Sequence, residues 1–263
     1  MTARLRGRCA LLTGATGGLG FAVAERLAAE GCHVIVNGIV PEAGMTEPVA
    51  RLEAGGAASA RYIRADLAEP DRIGDMMAEA AHARGGVDIL VNNAVVRHFA
   101  PVEDFPVARW NEALAVNLSA PFHAIRLALP GMRARGFGRI VNMASPYGFF
   151  AAPNRIEYVT TKTGLLGLTR AVALETAGTD ITCNAICPAT LPTPAIEARI
   201  ADMAAERGIP VAEATRLYLA ERQPGGRFVS MEAVAALVVF LCGPAGRDIT
   251  GAALPVDAGW TAS

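Results

Sequence analysis

Thr13-Gly14-Ala15-Thr16-Gly17-Gly18-Leu19-Gly20 closes a short apolar run, Ala10 to Thr13, and leads directly into a helical pattern, Phe21 to Glu30. Strand, glycines and helix in that order predict the first turn of a dinucleotide-binding unit. The glycines let the chain turn tightly and bring its backbone close to a pyrophosphate, whose charge sits on the free N–H groups and positive dipole end of the helix. An ordinary glycine-rich turn has the same local composition, so the rest of the chain has to decide between them. Strand-like runs continue at Val34 to Asn37, Arg61 to Ala65, Ile89 to Asn92, Ile140 to Ala144, Ile181 to Cys187 and Ala252 to Val256. Helical patterns lie between them at Pro70 to Arg84, Val107 to Arg135, Glu157 to Ala177 and Met231 to Cys242. Strands that read as continuous apolar runs, separated by helices, predict a doubly wound α/β fold with a parallel, Rossmann-type sheet.

With 263 residues, 52% of them hydrophobic, the chain is long enough for one sizeable core and short for two. A single domain is expected over residues 1–263. One stretch breaks the rhythm: 189–228 is a long excursion after a strand, with two Thr/Pro pairs and a helical middle, read as a lid over a site at the strand C-termini. The formal net charge of -1 offers no basic field for nucleic acid. The start, MTARLRGRCALLTGATGG, lacks a signal-peptide pattern and no run of 18 apolar residues occurs, so a cytoplasmic protein without a membrane partner is expected. Cys9, Cys32, Cys183, Cys187 and Cys242 are odd in number and sit in or beside apolar runs, which argues against disulfides and against a metal site.

Of the 24 basic side chains only Lys162 is a lysine. Arginine cannot shift its pKa or act as a compact ammonium, so position 162 is expected to need lysine chemistry. Tyr158 lies four residues earlier, on the same helix face. A phenol titrates near pKa ~10, and an adjacent ammonium lowers it toward the range of a usable base. Tyr158 can then exchange an alcohol proton while a nicotinamide takes the hydride. Ser145 ends the Ile140 to Ala144 strand, where it can hydrogen-bond the reacting oxygen, and Asn117 in the long preceding helix can hold a water that relays a proton from Lys162. Each has an innocent reading: tyrosine and lysine four apart occur by chance, and a serine after a strand can be a cap. Asp66 is open between accepting from an adenine amino group and capping a helix. At the end of the second strand, Asn37, Gly38, Ile39 and Val40 include neither an acid for the ribose hydroxyls nor a cation for a 2′-phosphate, and the missing cation favours NAD over NADP.

The ordered set TGATGGLG (13–20), NNA (92–94), Asn117, Ser145 and Tyr158-x-x-x-Lys162 resembles the short-chain dehydrogenase/reductase family across essentially the whole chain. The resemblance implies a catalytic tetrad of Asn117, Ser145, Tyr158 and Lys162 and usually a dimer or tetramer, here expected as a homotetramer. The cofactor is expected to meet Thr13, Gly14, Thr16, Gly18, Leu19, Gly20, Asp66, Leu67, Asn93, Tyr158, Lys162 and Pro188. EDFP (103–106), ALETAG (173–178), NAICP (184–188), AERQP (220–224) and DAGWTA (257–262) are similar to the D-3-hydroxybutyrate dehydrogenases within that family. Those enzymes hold their substrate with Gln, His, Lys and Gln, and the matching positions here are Arg97, Tyr147, Arg155 and Arg199. With His98 and Ser145 these are the expected substrate contacts. Val95 and Ala189 replace glycines of the family pattern.

The resulting expectation is an NAD-dependent oxidoreductase interconverting a small anionic 3-hydroxy acid and its oxo acid. The three arginines add the alternative of a diacid or a sulfonate-bearing hydroxy compound. Two rivals remain: a non-catalytic dinucleotide sensor on the same fold, and a reductase of carrier-bound acyl chains. Retention of the full tetrad argues against the first, and the missing NADP-binding cation against the second.

Overall fold

The apolar runs pair side by side and cover one another. In the computed structural model, which describes residues 5–220 and 222–262, they form β1 (Cys9–Leu12), β2 (His33–Gly38), β3 (Ser59–Arg64), β4 (Ile89–Asn92), β5 (Gly138–Met143), β6 (Ile181–Pro188) and β7 (Ala253–Val256). Every pairing is parallel and the order is β3-β2-β1-β4-β5-β6-β7. The register sets Leu11 opposite both Ile35 and Leu90. β1, β4 and β5 are buried throughout, as their unbroken hydrophobicity requires, whereas the edge strands β3 and β7 are only partly covered.

Helices cover both faces. On one, α1 (Gly18–Ala29), α2 (Thr46–Ala54) and α9 (Met231–Cys242) bury Phe21, Leu27, Leu52 and Val238. On the other, α3 (Pro70–Arg84), α5 (Ala120–Arg135) and α6 (Ile156–Thr176) bury Ile73, Met76, Ile125, Met132 and Val172. Winding reverses between β1 and β4, and at such a switch point the connections diverge and leave a crevice at the strand C-termini.

Two features depart from the sequence reading, and a third fills it in. The helical pattern at Val107 to Arg135 is interrupted: α4 (Val107–Leu114) passes through a π-helical turn, Ala115–Ser119, into α5. α2 had no counterpart in that reading, because Leu52 is its one buried residue and its apolar signal is correspondingly thin. The 189–228 excursion folds as α7 (Pro194–Arg207) and α8 (Val211–Ala220), which share a small core of Ile200, Ala204, Ala214, Tyr218 and Leu219. Glu221 of the AERQP stretch lies outside the described residues. No described helix is long and apolar enough to cross a membrane.

Candidate active site

The glycine turn is bolted to the end of β4. Thr13 Oγ1 accepts the backbone N–H groups of Asn93 (3.0 Å) and Ala94 (3.2 Å), and Asn93 Nδ2 donates to the carbonyls of Thr13 (3.1 Å) and Gly14 (2.8 Å). Gly14 has φ +59°, and a Cβ there would lie 2.6 Å from Ala94 Cα, so nothing larger fits. Space is open above Gly17 and Gly18. α1 starts beside them with no side-chain cap and no acidic residue in its first turn, which leaves its N–H groups and positive end to an anion.

These residues floor a cleft of about 420 Å³ that runs over Gly14, Thr16, Leu19 and Gly20 to Asn37 and Ile39 on one side and to Asn93, Tyr158 and Lys162 on the other. Asp66, Leu67 and Pro188 line it too. Thr13 and Gly18 do not. Thr13 is buried behind the turn, where it positions the β4 end. Asn37 is fully buried; its Nδ2 donates to the carbonyls of Ile63 and Ala65, while Oδ1 has no protein partner and remains a buried acceptor in the cleft wall. Open glycines, an uncapped helix N-terminus and an orphaned acceptor fit a dinucleotide. Asp66 is not a helix cap: Glu69 holds that position at α3, and Asp66 Oδ1 instead accepts from Ala68 N–H (2.9 Å) in the preceding turn.

At the inner end of the cleft, β5 and α6 bring Ser145, Tyr158 and Lys162 together. Lys162 is buried and its Nζ donates to the Met143 carbonyl at 2.6 Å, 5.6 Å from the centre of the Tyr158 ring. Ser145 and Tyr158 both line the space just beyond the cleft, and the Ser145 hydroxyl accepts Tyr147 N–H at 3.3 Å. A further cation lies here: Arg97 Nη2 donates to Tyr158 Oη at 3.2 Å, and its guanidinium sits 4.8 Å from the ring centre. Burial by itself pushes the Tyr158 phenol up, but the charges of Arg97 and Lys162 and the hydrogen bond from Arg97 outweigh it and hold the phenol below its ordinary value. Lys162 is lowered by burial, with the Tyr158 charge opposing.

Asn117 lies in the π-helical turn: Oδ1 accepts Val96 N–H at 2.9 Å, and Nδ2 donates to the Val96 carbonyl at 3.0 Å and to Thr161 Oγ1 at 3.4 Å. The amide thus positions the loop after β4, which carries Arg97. The buried Glu157 fixes the same loop through His98 N–H. The His98 ring lines neither the cleft nor the chamber beyond it and has Nε2 3.2 Å from Glu112 Oε2.

Past Tyr158 the cleft opens into a chamber of about 90 Å³. Pro188, Ala189, Leu191 and Thr193 belong to the walls of both spaces. Arg97, Tyr147, Arg155, Arg222 and Trp260 complete the chamber. Its aromatic side is rigid: Tyr147 packs edge-on against Trp260 (centroids 5.3 Å), Phe150 (5.5 Å) and Tyr158 (6.1 Å). The Arg155 guanidinium stacks on Phe99 at 4.6 Å and on Tyr147 at 5.1 Å. Arg199 is exposed and outside the chamber wall, but it stacks on Phe99 beside Arg155 at 4.7 Å. Arg222, which the sequence reading did not single out, lies in the AERQP stretch and lines the chamber. Neither Val95 nor Ala189 has positive φ, so the lost glycines impose no strain, and Ala189 N–H is bonded to the Val256 carbonyl.

A family model described as enoyl-(acyl carrier protein) reductase matches residues 14–261. The chain belongs to the short-chain dehydrogenase/reductase family. It is 43% identical to the D-beta-hydroxybutyrate dehydrogenase of Cupriavidus necator over 98% of this chain and 99% of that one. It is 42% identical to the D-beta-hydroxybutyrate dehydrogenase of Rhizobium meliloti over 97% and 99%. Among solved structures, the L-sorbose reductase of Gluconobacter frateurii, in complex with NADPH and L-sorbose, superposes with a TM-score of 0.94 over 100% of both chains at 27% identity. The parallel sheet order and the glycine turn at its switch point are those of a Rossmann-type member of this family.

Proposed function

We propose that the chain is an NAD-dependent dehydrogenase that interconverts a small anionic 3-hydroxy acid and its oxo acid, with Ser145, Tyr158 and Lys162 as catalytic residues and Asn117 as a positioning residue. The observation that carries this reading is the position of Tyr158, in the walls of both the nucleotide cleft and the cation-lined chamber, with Arg97 bonded to its hydroxyl and Ser145 in the same chamber wall. The small chamber favours a short acid over a long acyl chain.

A nicotinamide held in the cleft supplies the hydride acceptor for the carbinol carbon. Ser145 Oγ and Tyr158 Oη hold the substrate hydroxyl between them. As C–H hydride leaves, the O–H proton passes to the Tyr158 phenolate, which the neighbouring cations make accessible, and the carbon becomes a ketone. Lys162 lines the cleft and keeps its charge beside Tyr158 through the Met143 carbonyl. The cationic chamber receives the carboxylate. In reduction the same groups act in reverse. Replacing Tyr158 by Phe is expected to lower kcat by about 10³-fold or more while nucleotide binding, followed by fluorescence, is retained. Substantial residual turnover would remove Tyr158 from the chemistry.

The preference for NAD rests on Ile39, which meets the cleft where a 2′-phosphate would need a cation. The fold does bring Arg64 near, but its Nε is donated to the Ile39 carbonyl at 3.1 Å. We expect higher kcat/KM with NAD than with NADP, and Ile39→Arg should narrow the gap. A preference for NADP in the parent would transfer the role to Arg64. The homotetramer and the cytoplasm complete the proposal; the family resemblance supports the first, and five buried free thiols suit a reducing compartment.

A further inference from the structure

The chamber holds more positive charge than one carboxylate can use. Arg97, Arg155 and Arg222 are in its wall, Arg199 shares the Phe99 ring with Arg155, and no Asp or Glu lines it. Among the described residues Arg97, Arg155 and Arg199 form no ion pair. Glu157, whose carboxyl feels the charges of Arg155 and Arg97, is buried and bonded to His98 N–H. Arg155 is half-buried, with the Tyr147 phenol beside it and the positive charges of Arg222, Arg199 and Arg97 around it. Each guanidinium is also held in plane by a ring: Arg97 by Tyr158, Arg155 by Phe99 and Tyr147, Arg199 by Phe99, Arg222 by Tyr218. Stacked cations present their donor edges without having to be ordered by the ligand. A monocarboxylate has one charge and two oxygens, which a single bidentate guanidinium satisfies. The remaining cations would then be left beside one another without an anion between them.

Resting on the dehydrogenase reading above, we propose that the preferred substrate is a short hydroxy acid with a second anionic group, a carboxylate or a sulfonate. One end meets Arg97 beside the reacting hydroxyl, and the other meets Arg155, with Arg199 adding its charge beside the shared Phe99 ring. Arg155, the residue just ahead of α6, is thereby a specificity determinant.

The test uses purified enzyme with NAD and four 3-hydroxy acids that differ in the group on C4: 3-hydroxybutyrate, 3-hydroxyglutarate, 3-hydroxy-4-sulfobutyrate and the monoamide of 3-hydroxyglutarate. At least one dianion is expected to exceed 3-hydroxybutyrate about tenfold or more in kcat/KM, and the monoamide, with the same shape and one charge fewer, is expected to fall back toward 3-hydroxybutyrate. Which dianion leads distinguishes carboxylate from sulfonate. In Arg155→Gln and Arg199→Gln the ratio of dianion to 3-hydroxybutyrate kcat/KM should fall about tenfold. Equal or better use of 3-hydroxybutyrate, or variants that leave the ratio unmoved, would overturn the inference while leaving the dehydrogenase reading intact. If none of the four is turned over, that reading fails, and calorimetric titration of glutarate against butyrate into the NAD-loaded enzyme still decides the inference: tighter glutarate binding supports it, and equal affinity rejects it.

Discussion

Tyr158 is flanked by two cations, and only one was visible from spacing. Lys162 stands four residues away on the same helix face, whereas Arg97 arrives from the loop after β4, 61 residues away in sequence. The pH profile should separate their roles. Because the phenol is held below its ordinary value, phenolate is present above the depressed pKa and lost as pH falls through it. Arg97→Gln should therefore move the rising limb of kcat/KM for alcohol oxidation to higher pH. A limb that stays in place while KM rises would confine Arg97 to substrate binding. The same distinction explains what could be read at this scale. A lone lysine among arginines and its tyrosine are local signals, but Arg222 comes into the chamber from beyond α8, and nothing in its neighbours marks it. His98 was readable as a position and misleading as a contact, since its ring turns to Glu112.

At the scale of elements, the π-helical turn between α4 and α5 is the clearest departure from pattern. A 3.6-residue hydrophobic period continues across it, so the sequence shows one long helix, and the extra residue in the turn is felt only where Asn117 reaches Val96. Such turns cluster at functional sites. Here the turn points an amide at a backbone N–H and C=O that no strand partner satisfies. Asn117→Ala removes both bonds from a partly buried pair of groups, and the bond to Thr161 with them, and should cost about 2 kcal/mol of stability by denaturant titration. It should also raise KM, because the loop it holds carries Arg97. Unchanged KM with lowered stability would reduce Asn117 to scaffolding. β1, β4 and β5, by contrast, were legible because each is buried from end to end, and α2 was not because it buries one side chain.

Across the whole molecule, the alternation of runs was enough to predict the parallel sheet, since parallel neighbours need crossover helices and both faces covered. The placement of two cavities side by side was not readable, because it depends on where the 189–228 excursion folds back. That excursion leaves β6 through Pro188 and Ala189, and the strip to Thr193 faces the nucleotide cleft on one side and the arginine chamber on the other. It is pinned at intervals, by Ala189 N–H on Val256 and by the Thr190 carbonyl under Val229 N–H. A wall shared by two ligands has one set of preferred positions, so whatever settles it from one side changes the free energy of entry on the other. Coenzyme and acid are then thermodynamically linked, and the linkage is reciprocal: NAD should tighten the affinity for a non-reacting diacid by the same factor by which the diacid tightens that for NAD. Calorimetry in both orders measures that factor directly, and a value of one would mean that the strip is an inert partition and the two cavities fill without reference to each other.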